Sequence, residues 1–571
     1  MDIAALQPST GALIAAIALG IVSHQVYKRN EPSVAEFLLH TILLYAILTT
    51  LVSTFGPLSN IRLILIGLID LVVYLFALGT SIVAYRLFFH PLNAYPGPIL
   101  CKITRFVATK HVIDRDTHAW VSALHDQYGD VVRVSPNELS FKSVTSVDLI
   151  HGAKAGKIPK GPFYKGDPNR KANSMHSTQD LFEHRWRRKT WERGFGSLQL
   201  REYEPRVMHH LDVLNSQIKC REGSSMNVTA WVEYFAYDVM SDLGFSEDFG
   251  MLIEGKPHRY IPALHGATRL LTVAAQTPWI KPLMDWFPVD KQSKQDGKDF
   301  AKISMGTYNR HKARENKRPD LFTYISARME GAPRPMSDPE LIADAALIIA
   351  AGSVTTALCI TFMFQQLCRD RKQYEEFQKE IDSCWDGEGP AIAPYLNGFI
   401  NESLRLWPPA PTGMQRRAPK EGIFIDGKLV PGNNQLSVHT FAIQRDGRYF
   451  SKPAEWIPER WIESRRPSDF NHDVRAFIPF NAGQYTCLGK NLAYQEIRLF
   501  WAKLARRFDF EYAPGFDGSS FDQNIRYKGT FLIGPLDMGD NGTKEVYTLL
   551  KRVVLLGTVL CFFAKPLGFS S

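Results

Sequence analysis

The chain has 571 residues, 45% of them hydrophobic and 22% charged, and a net charge of +9. It is long enough for one large catalytic domain with additions. The mild, dispersed positive charge, with no Arg-rich stripe interleaved with aromatics, argues against nucleic acid and for a basic docking surface or loops facing an anionic membrane. Seven Cys, at positions 101, 220, 359, 368, 384, 487 and 561, form no C-x-x-C pair, which argues against zinc fingers and a disulfide framework.

Three apolar runs come first, at 11–27, 37–55 and 61–85. Each is about the length needed to cross a bilayer. The first could pass for a signal peptide, but it lacks a basic leading segment and a small-residue cleavage site, and two more runs follow. Three crossings are expected, with one as the fallback. Lys28 and Arg29 follow the first run and Arg86 the third, whereas only Asp2 is charged before the first. The positive-inside rule then puts the N-terminus in the lumen and everything after Arg86 in the cytosol. Asp70 lies inside the third run. With no second acid or base near it, a helix–helix contact or a protonated side chain is the expectation.

The segment His90-Pro-Leu-Asn-Ala-Tyr-Pro-Gly-Pro98 cannot continue a helix and reads as a stiff hinge. Tyr128 to Ser135 alternates like a strand, and Val144 to His151 is predicted helical. Lys160 to Asp180 is polar and reads as a long loop of the functional kind. His184-Arg-Trp-Arg-Arg-Lys-Thr-Trp-Glu-Arg193 is a strongly basic helix, which by charge alone is a solvated face. Asn227-Val-Thr is a glycosylation sequon that a cytosolic face would leave unused.

Ser337-Asp-Pro-Glu340 is a capping box. It opens a mostly apolar run, Leu341 to about Cys368, that would span roughly 40 Å as a helix. A fourth membrane span competes with a buried central helix. The box, Asp344, Gly352, Ser353, Thr355 and Thr356 favour the buried helix. Glu402 and Arg405 share a helix face at i, i+3. Such pairs are usually exposed, but here Trp407-Pro-Pro follows at once and Trp456-Ile-Pro-Glu-Arg460-Trp comes later.

The loop Phe480-Asn-Ala-Gly-Gln-Tyr-Thr-Cys487-Leu-Gly489 leads into a helix-like run from Lys490 to Phe508. A lone Cys is usually a buried small hydrophobe. At the mouth of a helix, however, it faces unpaired N–H groups and the positive end of the dipole, and both favour the metal-binding thiolate. Gly483 and Gly489 allow a tight turn and close approach to a flat partner. The chemistry that fits is one axial thiolate on haem iron.

Phe-x-x-Gly-x-Tyr-x-Cys-x-Gly resembles the haem-binding loop of the cytochrome P450 family, and the hinge, the long helix and the Glu402 cluster follow in that family's order. The resemblance covers residues 90–538. The fold it implies is mainly α: a helical haem-thiolate domain with a small β region, preceded by transmembrane helices. Residues 1–89 are then the membrane anchor. Residues 539–571 are an extension of uncertain role, in which Val553 to Ala564 is too short to cross comfortably.

By the same resemblance, Cys487 ligates the haem iron and Phe480, Gly483 and Gly489 shape its loop. Tyr485 stands where the family usually has an Arg or His that contacts a haem propionate. His184 and Arg188 match a propionate-binding pair, which would leave Arg187, Lys189 and Arg193 for an acidic redox partner. Arg416 is the propionate-binding candidate of the strand Pro411-Thr-Gly-Met-Gln-Arg416, with Arg417 the runner-up. Ala351-Gly-Ser-Val-Thr-Thr356 resembles the oxygen-binding groove, where Gly352 lets the helix open and Thr355 offers a hydroxyl. Val354 replaces the usual acid, so protons are expected through water and Thr355 or through a substrate group, or else the chemistry needs less proton delivery, and Val354→Asp is expected to change coupling. Glu402, Arg405 and Arg460 form a buried structural cluster. Phe163, Tyr164 and Met175 line the substrate pocket, as does Lys528-Gly-Thr-Phe531.

The activity implied is monooxygenation of an apolar small molecule, a terpenoid, polyketide or indole alkaloid of fungal secondary metabolism. Electrons would come from NADPH through cytochrome P450 reductase, at the endoplasmic reticulum membrane with the haem domain in the cytosol. The alternatives are a haem-thiolate isomerase, dehydratase or coupling enzyme on the same fold, and a non-catalytic haem sensor or membrane scaffold.

Overall fold

A computed structural model describes residues 8–30, 32–53, 60–156, 158–165, 171–222, 224–280, 290–315, 318–384, 393–513 and 518. The expectations for Lys528–Phe531, for the 539–571 extension and for Cys561 lie outside these residues. Helices of twelve residues or more and all strands are numbered below.

Three helices come first: α1 (Thr10–Arg29), α2 (Val34–Ser53) and α3 (Asn60–Ala84). The Ser9 hydroxyl caps α1 by accepting from Ala12 N–H at 3.2 Å, and Lys28 and Arg29 sit in its last turn, where the dipole favours cations. α1 packs on α3 at Gly20, where an added Cβ would lie 2.8 Å from the Tyr74 carbonyl oxygen. A small residue lets the two backbones approach. Asp70 is fully buried with neither carboxyl oxygen hydrogen-bonded. α3 runs on as a π turn over Tyr85–Phe89, so the apolar helix ends beyond the expected Tyr85. By length and composition α1 and the 61–89 helix can cross a membrane, and α2 offers a shorter apolar helix at Val34–Thr50.

At the hinge, His90 Nδ1 accepts from Leu92 N–H at 3.1 Å and starts a 3-10 turn over Pro91–Ala94. Leu92 and Tyr95 are buried in the apolar cluster beside the sheet. α4 (Thr117–Tyr128) leads into β1 (Val131–Ser135) and β2 (Glu138–Phe141). The middle of the chain carries α5 (Leu181–Glu192), α6 (Ser197–Lys219), α7 (Val228–Phe245), α8 (Tyr260–Gln276), α9 (Lys291–Ala313), α10 (Asp338–Arg369), α11 (Arg371–Cys384) and α12 (Pro394–Leu406). Asn227 of the sequon is the N-cap of α7, its side-chain oxygen accepting from Ala230 N–H at 3.1 Å. Strands β3 (Arg416–Arg417), β4 (Ile423–Ile425), β5 (Lys428–Val430) and β6 (Gln435–Val438) and helix α13 (Lys490–Ala505) follow.

The sheet order is β1-β2-β6-β3, antiparallel except for the parallel β2–β6 pair, and β4–β5 is a separate hairpin. Its Asp426-Gly427 turn has positive φ at both residues, the two-residue turn that matches strand twist.

α10 is the axis of the domain. Its start is fixed by the expected box: Ser337 N–H donates to Glu340 Oε2 at 2.8 Å. Its most apolar stretch is 72% buried, against 17% for α1 and 28% for the 61–89 helix, so α10 is a core helix despite its span-like composition. α6, α7, α12 and α13 pack into the same apolar core.

Glu402 and Arg405 on α12 meet Arg460 in that interior, all three fully buried. Arg405 grips the carboxylate with Nε at 2.8 Å and Nη2 at 2.7 Å, and Arg460 Nε donates at 3.1 Å. Ile457 N–H and Trp461 Nε1–H donate to the same carboxylate at 2.9 Å each. The spare Arg N–H groups go to carbonyls of Gln444, Pro453, Glu455, Ser451 and Lys452. The cluster thus ties α12 to the segment before the Cys487 loop.

Candidate active site

The Phe480–Gly489 loop closes on itself: Cys487 N–H donates to Phe480 O at 2.9 Å and Thr486 N–H to Gly483 O at 3.0 Å. Gly483 has φ +62, and a Cβ there would run into the carbonyls of His151 and Gly152, so only glycine fits. Gly489 has φ −76, and a Cβ there would meet Cys487 Sγ at an ordinary 3.9 Å. Its smallness therefore leaves open wall beside the sulfur and is not demanded by the turn.

Cys487 opens onto a cavity of about 630 Å³ in the domain. Burial raises its thiol above the ordinary cysteine value, and the N–H groups of Gly489 and Lys490 and the charge of Arg188 offset only part of this, so without a bound metal the helix mouth does not by itself favour the thiolate. α10 crosses the cavity with Ala351, Gly352, Thr355, Thr356 and Cys359 on its inner face. α8 adds Leu264, Ala267 and Leu271, and the 160–180 loop adds Phe163, Tyr164 and Met175 as expected. Thr355 Oγ1 donates to Ala351 O at 2.7 Å, which leaves its lone pairs to accept at the cavity wall.

Two expectations on α10 change. Val354 is 2% exposed in the main apolar core and is not among the cavity-lining residues. An acid there would be buried among apolar side chains, so Val354→Asp would cost stability before it could alter coupling. Gly352 does not open the helix, which is regular through this point. A Cβ at Gly352 would lie 2.6 Å from Met240 Sδ on α7, so the glycine serves close packing of α7 on α10.

A third change concerns α5. Arg187, expected to be free, is 1% exposed and donates from Nη2 to Asp344 Oδ2 at 2.7 Å. Asp344 also accepts from Met175 N–H at 2.7 Å and Trp191 Nε1–H at 3.3 Å. The pair fastens α5 and the 160–180 loop to α10. Arg193 is spent on the carbonyls of Tyr324 and Ala327. Lys189 remains exposed.

The basic end of the cavity lies beside Tyr485. The strand alternation of β3 turns Arg416 inward, fully buried, and Arg417 outward. Arg416 Cζ lies 4.3 Å from the Tyr485 ring centre, and its Nε and Nη2 have no partner. His184, 3% exposed, packs its ring against Tyr485 at a 60° tilt, with ring centres 4.6 Å apart. Burial and the charges of Lys160, Arg188 and Arg416 push His184 down to about 2, so the ring is neutral. Arg188 lines the cavity and donates to Thr486 O at 2.7 Å and Glu192 at 2.9 Å. A buried guanidinium with two vacant donors, facing a cavity that ends at a thiol, fits an anionic cofactor with a metal centre. Haem, with two carboxylates and an iron, meets both demands.

Sequence reasoning missed Glu496 on α13, which also lines the cavity. It is 1% exposed, Thr356 hydrogen-bonds it, and burial pushes its carboxyl up to about 8. Its signal was a charge on the apolar face set by Leu492 and Phe500. The folded chain holds this proton up to about pH 8, whereas the unfolded chain releases it near 4.5, so Glu496 makes stability fall as pH rises between those values. Glu496→Gln is expected to unfold on the order of a few degrees higher than the native chain at pH 8, with the gain shrinking towards pH 5, in thermal melts at both pH values.

The family model described as Cytochrome P450 matches residues 96–532. Among curated relatives, Cytochrome P450 monooxygenase orf5 of Eupenicillium brefeldianum is 33% identical over 85% of this chain and 97% of its own length. Cytochrome P450 monooxygenase FCK2 of Fusarium pseudograminearum is 30% identical over 87% and 91%. Tryprostatin B 6-hydroxylase of Aspergillus fumigatus is 33% identical over 78% and 80%.

Proposed function

The chain belongs to the cytochrome P450 family, and from this we propose that it is a membrane-anchored haem-thiolate monooxygenase that inserts one oxygen atom from O2 into an apolar small molecule of fungal secondary metabolism. The observation that carries the reading is Cys487 on the wall of a large apolar cavity, with Thr355 of α10 on the same cavity.

When bound, haem supplies binding and reductive activation of O2. The chain's residues do the rest. Cys487 supplies the thiolate, which the Gly489 and Lys490 N–H groups help to hold. Arg416, His184 and Arg188 hold the carboxylates, and Phe480, Gly483 and Gly489 shape the loop around the sulfur. Leu264, Leu271 and Phe163 exclude water and hold the substrate by its apolar surface. A terpenoid, a polyketide or an indole alkaloid fits this lining, and the relative named for tryprostatin B supports the last.

Residues 1–89 anchor the domain in the endoplasmic reticulum membrane with the domain in the cytosol, from the positive-inside pattern of Lys28, Arg29 and Arg86. Electrons come from NADPH through cytochrome P450 reductase, for which exposed Lys189 on α5 offers a cation. The test is reconstitution with that reductase and 18O2. One labelled oxygen per product supports the reading, and a product of unchanged mass favours an isomerase on this fold.

Thr355 Oγ1, whose own proton goes to Ala351 O, accepts from a water at the cavity face and so holds a proton-bearing water there. Thr355→Val is expected to keep NADPH consumption while product per NADPH falls roughly tenfold, about 1.4 kcal/mol. The ratio of product to NADPH in the two proteins checks this, and an unchanged ratio would remove Thr355 from the proton path.

A further inference from the structure

α8 and α10 both wall the active-site cavity, and neither contributes a charged side chain to it. Their polar contribution is hydroxyls, Thr268 and Thr272 on α8 and Thr355 and Thr356 on α10, with the thiol of Cys359. Three of the hydroxyls give their protons to their own helix. Thr268 Oγ1 donates to Leu264 O at 2.7 Å, Thr272 Oγ1 to Thr268 O at 2.6 Å and Thr355 Oγ1 to Ala351 O at 2.7 Å. Thr356 hydrogen-bonds Glu496, and the Cys359 thiol is engaged with Ser403. A hydroxyl that has given its proton away keeps its lone pairs. This wall therefore accepts hydrogen bonds and has none to give.

Thr268 and Thr272 stand one helical turn apart, about 5–6 Å between Cβ atoms, among the apolar side chains of Leu264 and Leu271. A carboxylate or an ammonium group against this wall would be buried without a counter-charge. A hydrocarbon would strip water from both threonines and return no bond. A hydroxyl or an amide would donate its proton but leave its own lone pairs facing acceptors. An indole-type N–H only donates, and it sits on a flat apolar ring, so it satisfies the threonines and leaves nothing of its own unpaired.

We infer that the substrate presents a ring N–H of the indole or pyrrole type to Thr268 and Thr272, and that these two side chains select rings with a donor over rings without one. The inference rests on the monooxygenase reading above and narrows its substrate class.

The test is isothermal titration of the haem-loaded protein with two rings of one shape, 2-phenylindole and 2-phenylbenzofuran, which differ in an N–H against an acceptor oxygen. The native chain is expected to bind the indole roughly tenfold more tightly, the range for one hydrogen bond. In Thr268→Val with Thr272→Val the preference is expected to vanish while the benzofuran binds as before, which shows that the cavity is intact. Thr268→Ser with Thr272→Ser keeps both hydroxyls and is expected to keep the preference. Thr272→Val alone, the milder change, is read in the same way as the valine pair. Equal binding of the two rings by the native chain, or no binding of either, would overturn the inference. So would a preference that survives in the valine variants, or one lost as fully in the serine pair, since the latter means that the threonines only shape the wall. Failure of the native chain to hold haem, or a product of unchanged mass with 18O2, would instead defeat the monooxygenase reading.

Discussion

Cys487→Ser is expected to abolish the red-shifted Soret band of the reduced, CO-bound protein and to lower product formation by at least about 1,000-fold, some 4 kcal/mol of barrier. The native sulfur stands at the N-terminus of α13, where burial raises its thiol and the N–H groups of Gly489 and Lys490 and the Arg188 charge offset part of that rise. A serine hydroxyl in the same place stays protonated and donates far less electron density to iron. The loop itself survives the change, because its closing bonds, Cys487 N–H to Phe480 O and Thr486 N–H to Gly483 O, are backbone bonds. Absorbance spectra of both proteins, with haem content measured separately, check the prediction. A red-shifted band persisting in the serine variant would mean that another group ligates the iron.

The second large effect is on the fold. Glu402→Ala leaves Arg405 and Arg460 facing one another, fully buried, with no carboxylate between them. Breaking a buried pair in this way costs roughly 3–5 kcal/mol, a large part of the 5–15 kcal/mol that holds a typical native state. The Ile457 N–H and Trp461 Nε1–H lose their acceptor as well. Expression is expected to give little folded, haem-loaded protein. Denaturant titration of what is recovered should show a midpoint far below the native one. A variant of native stability would show that water or a neighbouring carbonyl substitutes for the carboxylate.

The parts of this chain that were legible are those whose chemistry is local. The proline hinge follows from fixed φ angles, and the start of α10 from a box of four residues. The Cys487 loop follows from glycines and a helix mouth adjacent in sequence. The Glu402 cluster was legible because its Trp and Pro neighbours marked the context. The parts that were not legible depend on which face a helix turns inward. In α5, Arg185, Arg187, Arg188 and Lys189 crowd the stretch after His184 and hide any apolar stripe. The partner that buries Arg187 is 157 residues further along. Val354 and Thr355 are neighbours in sequence, yet one faces the core and the other the cavity. Gly352 answers to Met240, a contact between α10 and α7 that no single-helix pattern contains. The α8 wall of the pocket carries no motif at all: Leu264, Ala267 and Leu271 are an ordinary apolar helix face until the fold lays it over the cavity.

The most direct measurement is mass spectrometry of metabolites from the cell that makes this chain, with and without it. The account predicts that removal makes a compound accumulate that lacks one oxygen atom relative to the product that disappears, and that the purified protein with its reductase converts the first into the second. A lost product of the same mass as the accumulated compound, or unchanged metabolites while the native protein is present and haem-loaded, would contradict monooxygenation.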